Sequence, residues 1–241
     1  MNPSPAGDGD GRVLGPRQTY PAGERAAIAP RGVVLRAADH TSAVIAAGTV
    51  DIPDLVTLAA ATTWNTPAAR WLVPDPNLRS GVLHAWYSIL AEHARRFGRV
   101  DLLADRSAAA IWLDRSRPVP SPSHYLRRLT GTCGKHAISV LRYEQLLEQR
   151  RPRTVHLQLA VLAAPDLGRA AVLLAHRHDR LDRKGIAAYT TSGSPEQIAA
   201  MVADGYQSGP PFSLPGGGPL LWPLWRPPRP VSAPGRRRRP A

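Results

Sequence analysis

The chain is 241 residues long, carries a formal net charge of +13, and contains 25 prolines, 20 glycines and a single cysteine. That length allows one substantial core or two small ones. The lone Cys133 excludes an intrachain disulfide and fits a reduced, cytoplasmic setting, and no run of about 18 apolar residues exists that would cross a bilayer as a helix.

The charge excludes less than it first implies. Lys135 and Lys184 are the only lysines, and a basic set made almost entirely of arginine beside abundant Ala, Gly and Pro is what GC-rich codons produce. Part of the excess is terminal, in Arg226, Arg229 and Arg236 to Arg239.

Taken in order, residues 1–40 are rich in Pro, Gly, Ala and charge, with GVVLRAA the one apolar patch, and are expected to be a disordered extension that includes sequence upstream of the true start. AVIAA at residues 43–47 predicts a short strand. Residues 51–63 predict an amphipathic helix with Asp51 as its N-cap and Pro53 in its first turn. Pro67, Pro74 and Pro76 then interrupt the chain. Residues 78–98 predict a helix whose apolar face is Val82, Trp86, Ile89, Leu90 and Phe97. Residues 100–104 and 108–113 read as an antiparallel hairpin turning through Asp105-Arg106-Ser107. The proline-rich stretch 115–123 is a loop, and residues 124–132 and 135–150 form a helical hairpin split at Gly134.

The stretch from His156 to Tyr206 carries most of the chemistry. Leu157, Leu159, Val161 and Leu162 with interspersed Ala predict a strand buried on both faces, ended by Pro165-Asp166. Residues 170–184 predict a helix with Gly185 at the stop position, and residues 186–191 a second strand. Ser194 is placed as an N-cap, Pro195 at the first helical position and Gln197 at the third, a capping box, with Asp204 and Gly205 closing the helix. A strand that feeds a helix through a small-residue turn leaves the first amides of that helix unpaired beside the positive end of its dipole, a ready site for an anion.

The motifs Pro165-Asp166, Gly168-Arg169-Ala170, Leu181-Asp182-Arg183-Lys184-Gly185, Ser194-Pro195 and Gly205-Tyr206 occur in that order and are followed by PPFSLPGGGPLLWPLWRPP. With GTVDIPDLVTLAAA, ARWLVPDP and VDLLADRSAAAIWLD upstream, this pattern resembles the GNAT acetyltransferase superfamily, in particular its puromycin N-acetyltransferase-like branch of high-GC bacteria. The resemblance implies a domain over residues 41–228 followed by a disordered basic tail at 229–241. It implies an α/β fold of α+β type: a mixed, largely antiparallel central sheet with helices on both faces, splayed at the cofactor site. It further implies acetyl-CoA, or another acyl-CoA, as cosubstrate and direct attack on the thioester by a small-molecule amine.

On the same resemblance, backbone at Leu162, Ala163 and Ala164 would hold the pantetheine arm, and amides of Gly168, Arg169, Ala170 and Ala171 the pyrophosphate. Gln197 stands where many members have Asn. The loop before the helix is about two residues shorter than the family form, the Gln or Arg that opens it has no counterpart, and Met201 occupies the usual Tyr position. A thioether has no proton to give. These departures raise a second expectation, a catalytically impaired module of the same fold that serves binding or interaction. Trp64 and Trp71 fall where the family meets its acceptor, although core packing is the commoner fate of such rings.

Other constellations are weaker. His156 and Gln158, two apart on the central strand, are candidates to order a water or take a proton, against the plainer expectation of polar groups satisfied within a sheet. Tyr189 and Tyr206 are candidates for the missing acid, both expected to pack at strand positions. His176 and His178 face different ways on a helix and do not form a metal pair. Cys133 is read as core filler, and Ser192-Gly193-Ser194 as helix-capping chemistry. The arginine tail implies at most salt-sensitive, non-specific contact with nucleic acid.

Overall fold

Alternation along two adjacent strands decides where everything else packs. In the computed structural model of the chain, which describes residues 43–230, β2 (Gly98–Leu103) and β3 (Ala109–Asp114) form the expected hairpin. Val100, Leu102, Ala109, Ile111 and Leu113 face one core, shared with helices α1 (Ile52–Thr63) and α3 (Pro76–Phe97). Leu103, Ala110 and Trp112 face a second core on the opposite side, with α6 (Leu167–Lys184) and α7 (Pro195–Ala203). Helices therefore cover both faces, as expected. The extension 1–40 and Arg236 to Arg239 lie outside the described residues.

The remaining strands are β1 (Val44–Ala46), β4 (His156–Ala163), β5 (Ala187–Ser192), β6 (Gln207–Ser208), β7 (Phe212–Ser213) and β8 (Leu220–Arg226). The sheet runs β1-β2-β3-β4-β5-β8-β6, with β7 also on β8. Every neighbouring pair is antiparallel except β4 with β5. This is the mixed, largely antiparallel sheet the resemblance implies. Between β3 and β4 lie α4 (Tyr125–Cys133) and α5 (Ala137–Arg150), joined by a single turn of tighter helix at Gly134–His136.

Several helix starts depart from the sequence expectations, each for a capping reason. Pro67 begins a helix, α2 (Pro67–Leu72), instead of interrupting the chain, because Thr66 accepts from the Ala69 amide and proline suits the first position. In α3 the Asp75 carboxylate caps Asn77 and Pro76 again leads, so the helix starts before Leu78. Asp51 stands at the N-cap position of α1, as expected, but its side chain makes no capping bond to that helix. Its Oδ2 accepts from the Gly48 amide and its Oδ1 from Arg106 at 2.7 Å, tying the β2–β3 turn to the start of α1. Ser194 does cap α7, but the box is not completed: Gln197 Oε1 accepts from the Ser192 hydroxyl at 2.7 Å instead of reaching back to Ser194.

Candidate active site

The site begins as a fault in β4. Trp112 stands opposite Leu159 and Ile111 opposite Val161, so Ala160 has no partner on β3. One unpaired residue inverts the alternation beyond it. Leu157 and Leu159 accordingly face the α6–α7 core, while Val161 and Ala163, of the same parity, face the α1–α3 core.

On its other edge β4 pairs with β5 only through His156, Leu157 and Gln158. Past that point the Thr190 hydroxyl still donates to the Leu159 carbonyl at 2.9 Å, but the backbones separate. The sheet is thus splayed in its centre, and the parallel edge of β4 beyond Leu159 is turned toward the opening.

A cavity of about 500 Å³ extends from this opening. Leu159 to Leu162 and Thr190 to Gly193 form one end, and α2, α3, α5 and the proline-rich loop form the other. Tyr87, Tyr125 and Tyr143 line it, and burial raises all three phenols, Tyr87 to about 12. Arg115 donates through Nε to Gln158 Oε1 at 2.9 Å, and burial pushes its guanidinium below the ordinary range. Burial likewise lowers His93, which favours its neutral imidazole. Glu144 accepts from Trp86 Nε1 at 2.8 Å and from the Tyr125 hydroxyl at 2.6 Å, and burial pushes its carboxyl up.

The sequence-predicted residues divide around this cavity. Gln158, Leu162 and Gln197 line it; His156, Ala163, Ala164 and Met201 are not part of its wall. Met201 is buried among Leu159, Leu173 and Leu224. Tyr189 is buried on β5, and Tyr206 precedes β6 instead of lying on a strand. The Tyr206 hydroxyl is 2.9 Å from His178 Nε2, whose Nδ1 is 2.7 Å from Asp204, and this trio belongs to the α6–α7 core. Trp64 stacks under Arg79 and Trp71 donates to the Pro215 carbonyl at 2.9 Å, so both act in packing. Cys133 is buried beneath α3. Among the described residues no three His, Cys, Asp or Glu side chains converge as metal ligands, and no helix is long and apolar enough to cross a membrane.

Gly168, Arg169, Ala170 and Ala171 occupy the first turn of α6, which starts at Leu167 and not at residue 170. Asp166 is the N-cap, and its Oδ1 accepts from the Arg169 amide at 2.8 Å. The Ala170 amide donates to the Asp166 carbonyl at 3.3 Å. The Arg169 side chain pairs with Asp166 and donates to Ser107 at 3.0 Å. The turn thus answers its own polarity with an anion from the chain.

His156 is 1% exposed. Its Nδ1 lies 2.6 Å from the Thr154 carbonyl, its ring packs edge-on to Tyr189 and Trp225, and Nε2 has no partner. Burial pushes it from 6.5 to about 4. The unfolded chain takes up this proton near 6.5 and the folded one only near 4, so stability is intact above 6.5 and falls as pH drops through that window. The loss is on the order of 3 kcal/mol. The stability of the wild type relative to His156→Phe should fall by this amount as pH drops from 6.5 to 4; a difference independent of pH would contradict the buried neutral ring.

Glu144, His93, Tyr125 and Arg115 were not singled out by the motifs. A signal for the first two exists: Glu144 falls on the stripe Val140, Leu141, Leu147 of α5, and His93 on the stripe Trp86, Leu90, Phe97 of α3. A polar residue on an apolar stripe marks a cavity or a buried network.

An open, mostly antiparallel sheet with a parallel splayed pair at its centre and helices on both faces is the GNAT acetyltransferase fold. Solved structures agree. A protein from Corynebacterium glutamicum designated histone acetyltransferase HPA2 and related acetyltransferase superposes with a TM-score of 0.60 at 21% identity, over 80% of this chain and 99% of that one. Arylalkylamine N-acetyltransferase 2 from Aedes aegypti gives 0.50 at 10% identity, over 78% and 100%. An agmatine N-acetyltransferase mutant in its apo form gives 0.50 at 17%, over 76% and 97%. No family model matches the chain, and no curated protein matches it.

Proposed function

We propose that the chain transfers an acetyl group from acetyl-CoA to a small-molecule amine, and that residues 41–228 form the acyltransferase domain. The observation that carries this reading is the continuity of the β4–β5 opening with the helix-lined cavity. A thioester and an amine entering from opposite ends would meet there, and holding two reactants in line is the larger part of what direct transfer needs. The motif order supports placing the chain in the puromycin N-acetyltransferase-like branch, and two of the structural neighbours are named for small amines, an arylalkylamine and agmatine.

The residues fit the acyl donor unevenly. Backbone of Leu162 and Ala163 at the end of β4, and of Ala164 just past it, suits an amide-bearing pantetheine arm, and acetyl-CoA bound there would supply the activated acetyl carbonyl. The pyrophosphate end, at Gly168 to Ala171, meets the Asp166 carboxylate. That carboxylate and Met201 favour the second reading, a module of this fold that binds partners without acetyl transfer.

Thiol release from acetyl-CoA with an amine panel, together with the change in melting temperature at saturating acetyl-CoA, tests both. Asp166→Ser keeps an N-cap, removes the repelling charge and releases Arg169. The expected result is amine-dependent turnover, with acetyl-CoA binding tightened roughly three- to tenfold in the variant. Background thiol release and no thermal shift in either protein would leave the binding module in its place.

A further inference from the structure

Glu144 is a largely buried carboxylate in the cavity wall that makes no ion pair; Arg115, the nearest cation, acts on it only at longer range. Its hydrogen bonds come from two neutral donors, the Trp86 indole on α3 and the Tyr125 hydroxyl on α4. Among the described residues no Lys, Arg or His nitrogen lies within ion-pair distance of it. Arg115, the cation of the cavity wall, is committed through Nε to Gln158.

The cavity differs in sign from the protein around it. Asp114, Glu144 and Glu148 line it against Arg115, with Glu148 itself paired to Arg151, in a chain whose formal charge is +13. Aromatic rings crowd the same end. Trp86 stacks on Tyr87 at 5.1 Å and meets Tyr143 edge-on at 5.8 Å, and Tyr125 closes over Glu144. A chamber with aromatic walls and a carboxylate held only by neutral donors suits an organic cation, because an ammonium or guanidinium group draws the carboxyl to its ionised form while the carbon body packs on the rings.

We infer that Glu144 anchors a cationic group of the acceptor, so that the acceptor is a bifunctional organic cation: one ammonium or guanidinium seated on Glu144, and a second amine extending toward the β4–β5 opening. This rests on the acetyl-transfer reading for the fate of the second amine, but not for the binding itself. An ammonium held by a carboxylate keeps its proton and is no nucleophile, so the reacting amine is the other one. The volume of about 500 Å³ accommodates a ligand of this size.

The probe is meta-xylylenediamine, with benzylamine as its single-cation counterpart, titrated calorimetrically into the full chain without any acyl-CoA. The wild type is expected to bind the diamine at least about tenfold more tightly. Glu144→Gln should erase that preference, and Tyr125→Phe, which keeps the charge, should retain it. In the wild type the Trp86 indole N–H resonance, which reports on Glu144 directly, should shift with the diamine and not with benzylamine, whatever the folding of the variants.

A wild type without the preference, a Glu144→Gln protein that keeps it, or an unmoved Trp86 resonance overturns the assignment. Glu144-dependent diamine binding without thiol release from acetyl-CoA upholds the anchor and removes the acetyl-transfer reading. Turnover of benzylamine and diamine alike, unaffected by Glu144→Gln, does the reverse.

Discussion

Gly98→Ala should destabilise the chain by about 3–5 kcal/mol, read as a shift in the denaturant midpoint at unchanged slope. A β-carbon built at Gly98 would lie 2.0 Å from the Trp112 carbonyl oxygen, 3.0 Å from its carbonyl carbon and 3.1 Å from Leu113 Cα. All three are main-chain atoms of β3, so no side chain can swing aside. The β2–β3 ladder must part where Gly98 faces Leu113 and Arg99 faces Trp112. Trp112 is fully buried in the α6–α7 core, so the disturbance reaches the packing of both layers. A variant within about 1 kcal/mol of the wild type would mean that the two strands do not approach as described.

Arg177→Ala should be nearly as damaging, by about 3–5 kcal/mol, because it strands a charge instead of merely losing a contact. Asp101 on β2 is 2% exposed, and Arg177 on α6 meets it through two guanidinium nitrogens, Nε to Oδ2 at 2.9 Å and Nη2 to Oδ1. The double variant Asp101→Leu with Arg177→Leu removes both charges and should recover much of the loss, so the single effects will not add. Additive losses would show that the pair is not coupled. The pair also fixes where α6 sits over the sheet, and with it the turn from Gly168 to Ala171. Arg177→Ala should therefore weaken any acetyl-CoA binding even at temperatures where it remains folded.

What the sequence disclosed followed from how each feature is encoded. The order of strand, helix, strand and helix from His156 to Tyr206 was legible because Pro165-Asp166, Gly185 and Ser194-Pro195 mark its joints by steric and hydrogen-bonding preferences of single residues. The bulge at Ala160 was not legible. A strand apolar on both faces has no polar alternation to break, so the inversion that places Leu159 and Val161 in different cores leaves no mark in LAVLA.

The start of α6 was misplaced for a related reason. Gly168 and Arg169 read as loop beside a family pattern that expects a longer one, whereas a single carboxylate, Asp166, suffices to begin the helix at once. Glu144 carried a signal in the stripe of α5, but its meaning depends on Trp86 and Tyr125, remote in sequence and adjacent only after folding.

Backbone pairing between β4 and β5 extends over three residue pairs at one end, followed only by the Thr190 hydroxyl. What holds the two sides of the sheet together past that point is the core beneath α6 and α7, which draws Trp112 and Leu159 from one side and Ala188 and Leu224 from the other. A ligand seated in the opening would touch both sides of the β4–β5 joint, so its occupancy and the cohesion of the sheet would rise together.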